Sequence, residues 1–560
     1  MSKATLYGGG RVHVGDGTSA EAIFFRDGRV GAVGRAADLR REAPDAELVD
    51  LRGGLIVPGW YDAHVHFMWW SLQRSRLDLV DAETLDDALA RIRRQSASLP
   101  PRAWLIAYRF DKNKWGRWPT AKELDAVTGD HPAVIRTRDG HARWANSRAL
   151  ALAGITAATS DPDGGRVERG ADGAPTGIVF ETANRLLDAV VPAPTPEECV
   201  EAVRRGQEEA WRAGIVGFED LEDGAALAAF RRLHERDELG MRIAMGIPYL
   251  SPPDVDAAVR ESEKQFASYT RNPAAGDALR AAAAAPRHDF ATALASGMRT
   301  GDGDEWLRIG HLKIFTDGAL GSQTAAMDDP YEGIDDRGIL RVDPDVLKRD
   351  VARAASAGIA VAIHAIGDHA VHVALEAIAP TRSTAPQLRP KIEHLQLVRS
   401  ADLARFGALG VIASMQPIHA TSDRDLADRY WGRSRTGRAY PWRTLRQTGA
   451  VLAFGSDAPV EPIDPLLGLY AAVARKRPSD DAPWHPEQRL DLDEALAGYS
   501  AGAAYALGLE KETGTLRAGL RADATVLDRD VLREPAESLL EARVRATITG
   551  GVVRYEEGLG

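Results

Sequence analysis

Asp62-Ala63-His64-Val65-His66 closes an apolar run that begins Leu55-Ile56-Val57-Pro58-Gly59-Trp60-Tyr61. Alternate side chains of a β-strand point to the same side, so His64 and His66 project together. Two imidazoles held that way can grip one metal ion, and imidazole suits zinc. Further along, each near the end of an apolar run, come Lys313, then His364 and His394, then Asp457. A lysine, two histidines and an aspartate in that order point to metal-activated water.

Around these pieces the middle of the chain alternates short apolar runs with amphipathic stretches, the pattern of a parallel sheet with crossover helices. Eight strands are predicted, at 55–67, 215–220, 241–250, 308–317, 359–368, 390–396, 411–417 and 450–459. Helices are predicted between them, among them 198–213, 346–357 and 370–379. Eight such units predict an α/β fold, a (β/α)8 TIM barrel whose site lies at the C-terminal strand ends. The metal candidates sit late in their runs, where that architecture needs them.

The connection from the first strand to the second is far longer than the usual few residues, so residues 68–197 are read as an inserted subdomain. It holds turn-rich pieces such as Ser160-Asp161-Pro162-Asp163-Gly164-Gly165, and Trp104, Trp115, Trp118 and Trp144. The stretch 251–307 is also long, and alanine-rich at Ala281–Ala285; it is read as helix with loops. Residues 1–57 and 510–560 both show short strand signals around turns, and together they are expected to build one β-sandwich beside a barrel domain of 58–509.

The length of 560 residues exceeds one ordinary core, and 44% apolar content is that of a globular protein. No apolar run approaches the roughly 20 residues of a membrane span, and the N-terminus lacks the apolar core of a signal peptide. A net charge of −11 offers no footprint for nucleic acid or an anionic membrane. Cys199 is the only cysteine, so thiolates cannot build a metal cage. A cytoplasmic protein acting on a small molecule is expected. A homodimer is compatible with this size, although no stretch marks an interface.

At these motifs the chain resembles the amidohydrolase superfamily, and within it the amidohydrolase family 3 branch that includes N-substituted formamide deformylases. The matching pieces are Val57-Pro58-Gly59 leading into Asp62-Ala63-His64-Val65-His66, Leu312-Lys313-Ile314-Phe315-Thr316-Asp317-Gly318, and His364-Ala365-Ile366-Gly367-Asp368. Ile392-Glu393-His394 and Phe454-Gly455-Ser456-Asp457-Ala458-Pro459 follow, and the insert contributes Asp139-Gly140-His141 with Trp144-Ala145-Asn146-Ser147. The resemblance spans essentially the whole chain.

It implies two divalent metal ions, zinc by ligand type, with manganese, iron or cobalt as substitutes. His64 and His66 would bind the more buried ion with Asp457; His364 and His394 would bind the second. Lys313 would be N-carboxylated, its carbamate bridging both; a plain lysine pairing with Asp317 or touching substrate is the other reading. Asp457 would take a proton from the attacking water and deliver it to the leaving nitrogen. His141 would stand over the pocket and stabilise the carbonyl oxygen, or serve the fold. Asp317 and Gln416 are candidates for substrate or ligand-supporting contacts. His311 is expected to pack a layer deeper, and His369 and His372 to lie on a helix surface. Phe67, Met68, Trp69 and Trp70, with Trp115 and Trp118, either wall the pocket for an apolar substituent or pack the insert onto the barrel.

The reaction this implies is hydrolysis of a C–N amide bond, in an N-substituted formamide or related N-acyl amine. A mononuclear deaminase of a heterocyclic base is the alternative; Ala365-Ile366-Gly367-Asp368 after His364 lacks the glutamate such enzymes carry three residues on. A non-catalytic regulatory binding protein is a third reading, and the complete set of ligand candidates weighs against it.

Overall fold

The computed structural model describes residues 4–559 except 75, 163, 193, 223 and 250–287. The alanine-rich piece Ala281–Ala285 and the last residue of the third predicted strand lie outside the described residues.

Eight strands form one parallel sheet in chain order: β1 (Trp60–Val65), β2 (Ile215–Asp220), β3 (Arg242–Pro248), β4 (Leu307–Phe315), β5 (Val361–Ala365), β6 (Lys391–His394), β7 (Ile412–Met415) and β8 (Leu452–Phe454). Each pairs in parallel with the next. The sheet curls until its ends meet, where Asp457 N–H donates to His64 O at 2.8 Å and His66 N–H to Ala458 O at 2.9 Å. This is the nearly closed (β/α)8 barrel that the alternation predicts. Its strands are apolar nearly throughout because helices cover the outside and side chains fill the inside.

The covering helices follow their local signals. The helix Pro196–Arg212 starts on a Thr195–Glu198 capping box with proline in its first turn, and buries Cys199, Val203, Gly206 and Ala210 on one stripe. Pro344–Ser356 and Asp368–Ile378 occupy the other two predicted stretches, shifted by one or two residues.

The predicted strand 55–67 is two strands. Leu55–Pro58 belongs to a different sheet, and β1 begins only at Trp60. The break falls at Gly59, where a Cβ would stand 2.7 Å from Val216 and 3.1 Å from the Ala524 nitrogen. Only a residue without a side chain lets the chain cross from one layer to the other so close to both.

Leu55–Pro58 sits in a six-stranded sheet in the order Val552–Glu556, Val544–Thr549, Ala524–Leu527, Leu55–Pro58, Arg11–His13, Ser19–Ala20. A four-stranded sheet of Arg29–Gly34, Ala22–Arg26, Thr5–Gly8 and Glu47–Asp50 accompanies it. Both chain ends therefore contribute to one layered β structure, with Tyr7, Val12, Phe25, Ile56, Val526 and Ile548 in its core. Asp523 ties it to the barrel: its buried carboxylate accepts from Arg242 Nε at 2.8 Å, Tyr61 Oη at 3.0 Å, Thr513 Oγ1 at 3.0 Å and Gly550 N–H at 2.7 Å.

Between β1 and β2 the chain builds a third sheet, in the order Gly165–Arg169, Pro175–Glu181, Ala142–Ala145, Ala133–Thr137, Leu105–Phe110, Leu77–Asp78. Trp144 is fully buried within it. This subdomain lies across the barrel mouth: Arg138 pairs with Glu461, and Tyr430 Oη donates to Asn113 Oδ1 at 3.2 Å. Among the described residues no helix is long and apolar enough to cross a membrane.

Candidate metal centre

Every metal candidate lies at or just beyond the C-terminal end of a barrel strand. Lys313 is on β4, His364 on β5 and His394 at the end of β6. His64 is the penultimate residue of β1, His66 follows its end, and Asp457 stands three residues past β8.

Asp457 is central to the cluster. Its Oδ1 is 3.2 Å from His64 Nε2 and 3.4 Å from His66 Nε2, and its Oδ2 is 4.0 Å from His394 Nδ1. The His394 ring lies 4.8 Å from that of His64 and 4.5 Å from that of His364, centroid to centroid. Lys313 Nζ approaches His64 Nε2 at 3.4 Å. His394 and Asp457 have positive φ, 72° and 57°, a conformation ordinary residues adopt rarely and mostly where surroundings enforce it. At His394 the turn has a visible result. Adjacent residues Glu393 and His394 both turn into the barrel, the first to the layer beneath the centre and the second to the centre itself, which strict strand alternation forbids.

A charged layer lies beneath. Glu393 Oε2 accepts from His64 Nδ1 at 2.8 Å, and its Oε1 meets Lys391 Nζ at 2.7 Å. Lys391 also reaches Glu219 Oε2 at 2.8 Å and Ala63 O at 2.7 Å. Glu219 Oε1 accepts from His311 Nδ1 at 2.8 Å, so His311 packs beneath the centre. All four groups are essentially inaccessible to solvent.

Burial sets the acid–base state of the amine and of three imidazoles, and neighbouring charges set that of the two carboxylates. It pulls Lys313 down to about 8, against the opposing pull of Glu393 and Asp457. Burial also lowers His66, His364 and His394. It would raise Asp457, but the charge of His64 and hydrogen bonds from His64 and His66 hold it well below the carboxylate range. Glu393 is likewise held down by Lys391 and His64 in spite of burial. Asp62 is raised to about 6 by burial, offset in part by bonds from Ser456.

This donor set fits a divalent cation. It offers four imidazoles, a carboxylate and a lysine nitrogen, and ligand atoms of His64, His394 and Asp457 lie within 4.8 Å of one another. With Nδ1 of His64 committed to Glu393, Nε2 is the nitrogen it turns toward the centre and would offer to a cation. His364 donates Nε2 to Gly318 O at 3.0 Å, leaving Nδ1 as its donor atom. Fixing one ring nitrogen so that the other can ligate is the usual support of metal-binding histidine.

The centre forms the floor of a cavity of about 870 Å³, ample for a small organic substrate. His141 lines it, with Nδ1 3.0 Å from Glu181 Oε1 and its ring 6.4 Å from that of His364. Burial would lower this imidazole, yet the charge and hydrogen bond of Glu181 raise it to about 9. Trp69, Phe110 and Trp118 also line the cavity.

Three residues predicted to touch substrate do not line the cavity. Trp115 donates Nε1 to Ala82 O at 2.9 Å and packs against Phe110 and Trp144 inside the inserted subdomain. Asp317 is fully buried and accepts the N–H groups of Ala326 and Gly367, both at 2.9 Å, with His364 Nε2 3.4 Å away. Gln416 Oε1 stands 2.9 Å from His394 Nδ1. The last two take the other role read for them and steady ligand candidates. Phe67, Met68 and Trp70 pack beneath the helix Pro196–Arg212. His369 and His372 lie partly exposed beside Asp328 and Asp402.

Sequence reasoning missed Glu219, Lys391, Glu393, Glu181 and His419. Lys391 and Glu393 carried a signal, two charges at strand spacing inside a buried run. The others are recognisable only once the barrel brings distant strands together.

A barrel whose strand ends converge on such a donor set under a substrate-sized cavity defines the class of metal-dependent barrel hydrolases. A model of the amidohydrolase family matches residues 47–555, and the chain belongs to that family. It is 29% identical to the Bacillus subtilis (strain 168) protein YtcJ, over 97% of each chain. It is also 29% identical to the N-substituted formamide deformylase of Arthrobacter pascens, over 96% of this chain and 95% of that one. The crystal structure of an uncharacterized metal-dependent hydrolase from Pyrococcus horikoshii OT3 superposes with a TM-score of 0.72 at 27% identity, covering 96% of this chain and 99% of that one.

Proposed function

We propose that this chain is an amide hydrolase of N-substituted formamides or related N-acyl amines. The observation that carries the reading is the Asp457 carboxylate, set 3.2 and 3.4 Å from His64 and His66 on the cavity floor. The similarity to a formamide deformylase over nearly the full length of both chains supports the substrate class.

Two divalent cations, zinc by ligand type, would be held by His64, His66 and Asp457 and by His364 and His394, with Lys313 N-carboxylated between them. When bound, such ions polarise a carbonyl and let water ionise near neutral pH. A lysine lowered to about 8 has an uncharged amine accessible for carbamate formation. Asp457, held ionised, accepts a proton from the attacking water and returns it to the leaving nitrogen. His141, kept protonated by Glu181, spends one N–H on that carboxylate and offers the other to the substrate oxygen. Trp69, Phe110 and Trp118 supply an apolar wall for the nitrogen substituent.

The test is formate release from N-benzylformamide by metal-replete protein, extended to a panel of formamides and N-acyl amines. Formate and amine in equal amounts support the reading; no turnover across the panel overturns it. A mononuclear deaminase is the second reading, because among the described residues His64, His394 and Asp457 bring three ligand atoms within 4.8 Å of one another, enough for one cation. Ammonia release from nucleobases would favour it.

A further inference from the structure

His419 has no part in the assignments above, yet it lies against the centre. It stands in the short helix Pro417–Ser422 that follows β7, and is 4% exposed. Its ring stacks on that of His394, with centroids 6.0 Å apart and planes 14° from parallel. Its Nε2 is buried without a hydrogen-bond partner, and a carboxylate oxygen, Asp457 Oδ2, lies 3.8 Å away. On the other side of the ring, Nδ1 lies 3.4 Å from Gln396 Nε2.

The chemistry of these neighbours selects one tautomer. A carboxylate only accepts, so a ring nitrogen facing it must carry the hydrogen. The amide nitrogen of Gln396 only donates, so the nitrogen facing it must carry the lone pair. Both neighbours ask for hydrogen on Nε2 and none on Nδ1. A buried N–H without a partner is costly, and hydrogen bonds of catalytic groups are often long until substrate closes the site.

We propose that His419 is a positioning residue: its Nε2–H holds Asp457 Oδ2, so that Oδ1 stays turned toward His64 and His66. Among the described residues no other free donor meets that oxygen. His394 Nδ1, at 4.0 Å, is already engaged 2.9 Å from Gln416 Oε1. A carboxylate that must ligate with one oxygen and move a proton needs its rotation fixed, and His419 is placed to fix it. The inference rests on the proton-shuttle role assigned to Asp457 above.

Two measurements test it. The first is the tautomer of His419, read by long-range ¹H–¹⁵N correlation in protein labelled at histidine, with His419→Gln used to assign the signal. This readout needs no substrate, so it decides the inference even if no formamide is turned over. Hydrogen on Nε2 is expected; hydrogen on Nδ1, with the lone pair aimed at Asp457, overturns the proposal. The second is the kinetics of His419→Phe and His419→Gln on N-benzylformamide. The phenylalanine variant keeps the stacked ring without the donor, and should lose kcat by about 10- to 100-fold with KM little changed. Glutamine, whose amide can donate, should recover most of the loss. Wild-type kcat in His419→Phe, or equal losses in both variants at unchanged metal content, overturns the proposal.

Discussion

Glu393→Gln is the most informative single change beneath the metal centre. The carboxylate engages both oxygens, Oε2 accepting from His64 Nδ1 at 2.8 Å and Oε1 forming an ion pair with Lys391 Nζ at 2.7 Å. Glutamine has the same shape but only one acceptor. Its oxygen will face the Lys391 ammonium, because the amide NH₂ cannot. That turns the NH₂ toward His64 and makes Nδ1 the acceptor. The ring hydrogen is then fixed on Nε2, the nitrogen that would ligate a cation. Lys391 is left with Glu219 as its sole buried carboxylate partner. Two effects follow: metal affinity should fall about 10- to 100-fold, and exchanging one charged acceptor of Lys391 for a neutral one should cost about 1–3 kcal/mol of stability. The assay is competition with a graded series of chelators, alongside thermal unfolding of the metal-free protein. Unchanged metal affinity would refute the tautomer reasoning; an unchanged unfolding temperature would refute the claim that Glu393 holds Lys391.

Asp457→Asn should leave the fold intact by circular dichroism and abolish turnover, and near-normal kcat would remove Asp457 from proton transfer. The His141–Glu181 pair predicts a pH dependence. A histidine raised to about 9 contributes stability that is fully present below about 6.5 and is lost as pH rises through 9. The stability gap between the parent and His141→Gln should therefore be widest near pH 6, on the order of 3 kcal/mol, and close by pH 10; a gap that stays constant over that range would contradict the pairing. Asp523→Ala strips a buried carboxylate from Arg242 Nε at 2.8 Å and leaves that cation unpaired on one side. A loss of about 3–5 kcal/mol is expected, seen as a lower unfolding temperature, and an unchanged temperature would show that the joint between sandwich and barrel does not depend on this contact.

The barrel was legible because its strands are buried on both faces, and a short apolar run between amphipathic stretches is the mark of a strand covered on both sides. The ligand candidates were legible for a related reason: His64, Lys313, His364, His394 and Asp457 are polar residues at the ends of apolar runs. The break at Gly59 was not. Leu55–Pro58 and β1 are equally apolar, and the glycine is required only by the approach of Val216 and Ala524, which are distant in sequence. The sheet of the inserted subdomain was missed because its strands are short and bounded by turns. Trp115 stayed open between two readings for a complementary reason. Tryptophan in a pocket wall and tryptophan in a core look alike in sequence, and only the bond to Ala82 O and the stacking on Phe110 separate them. The positive φ at His394 was hidden as well, because strand alternation allows only one of Glu393 and His394 to face inward.

The most direct test of a two-cation centre bridged through Lys313 is metal content per chain, by elemental analysis of protein purified without added metal or chelator, for the parent and for Lys313→Ala. About two divalent ions per chain in the parent, with a marked fall in the variant, is the expected result. A full complement of one ion, unchanged by the substitution, would contradict the bridge and move the reading to a mononuclear site built on His64, His394 and Asp457.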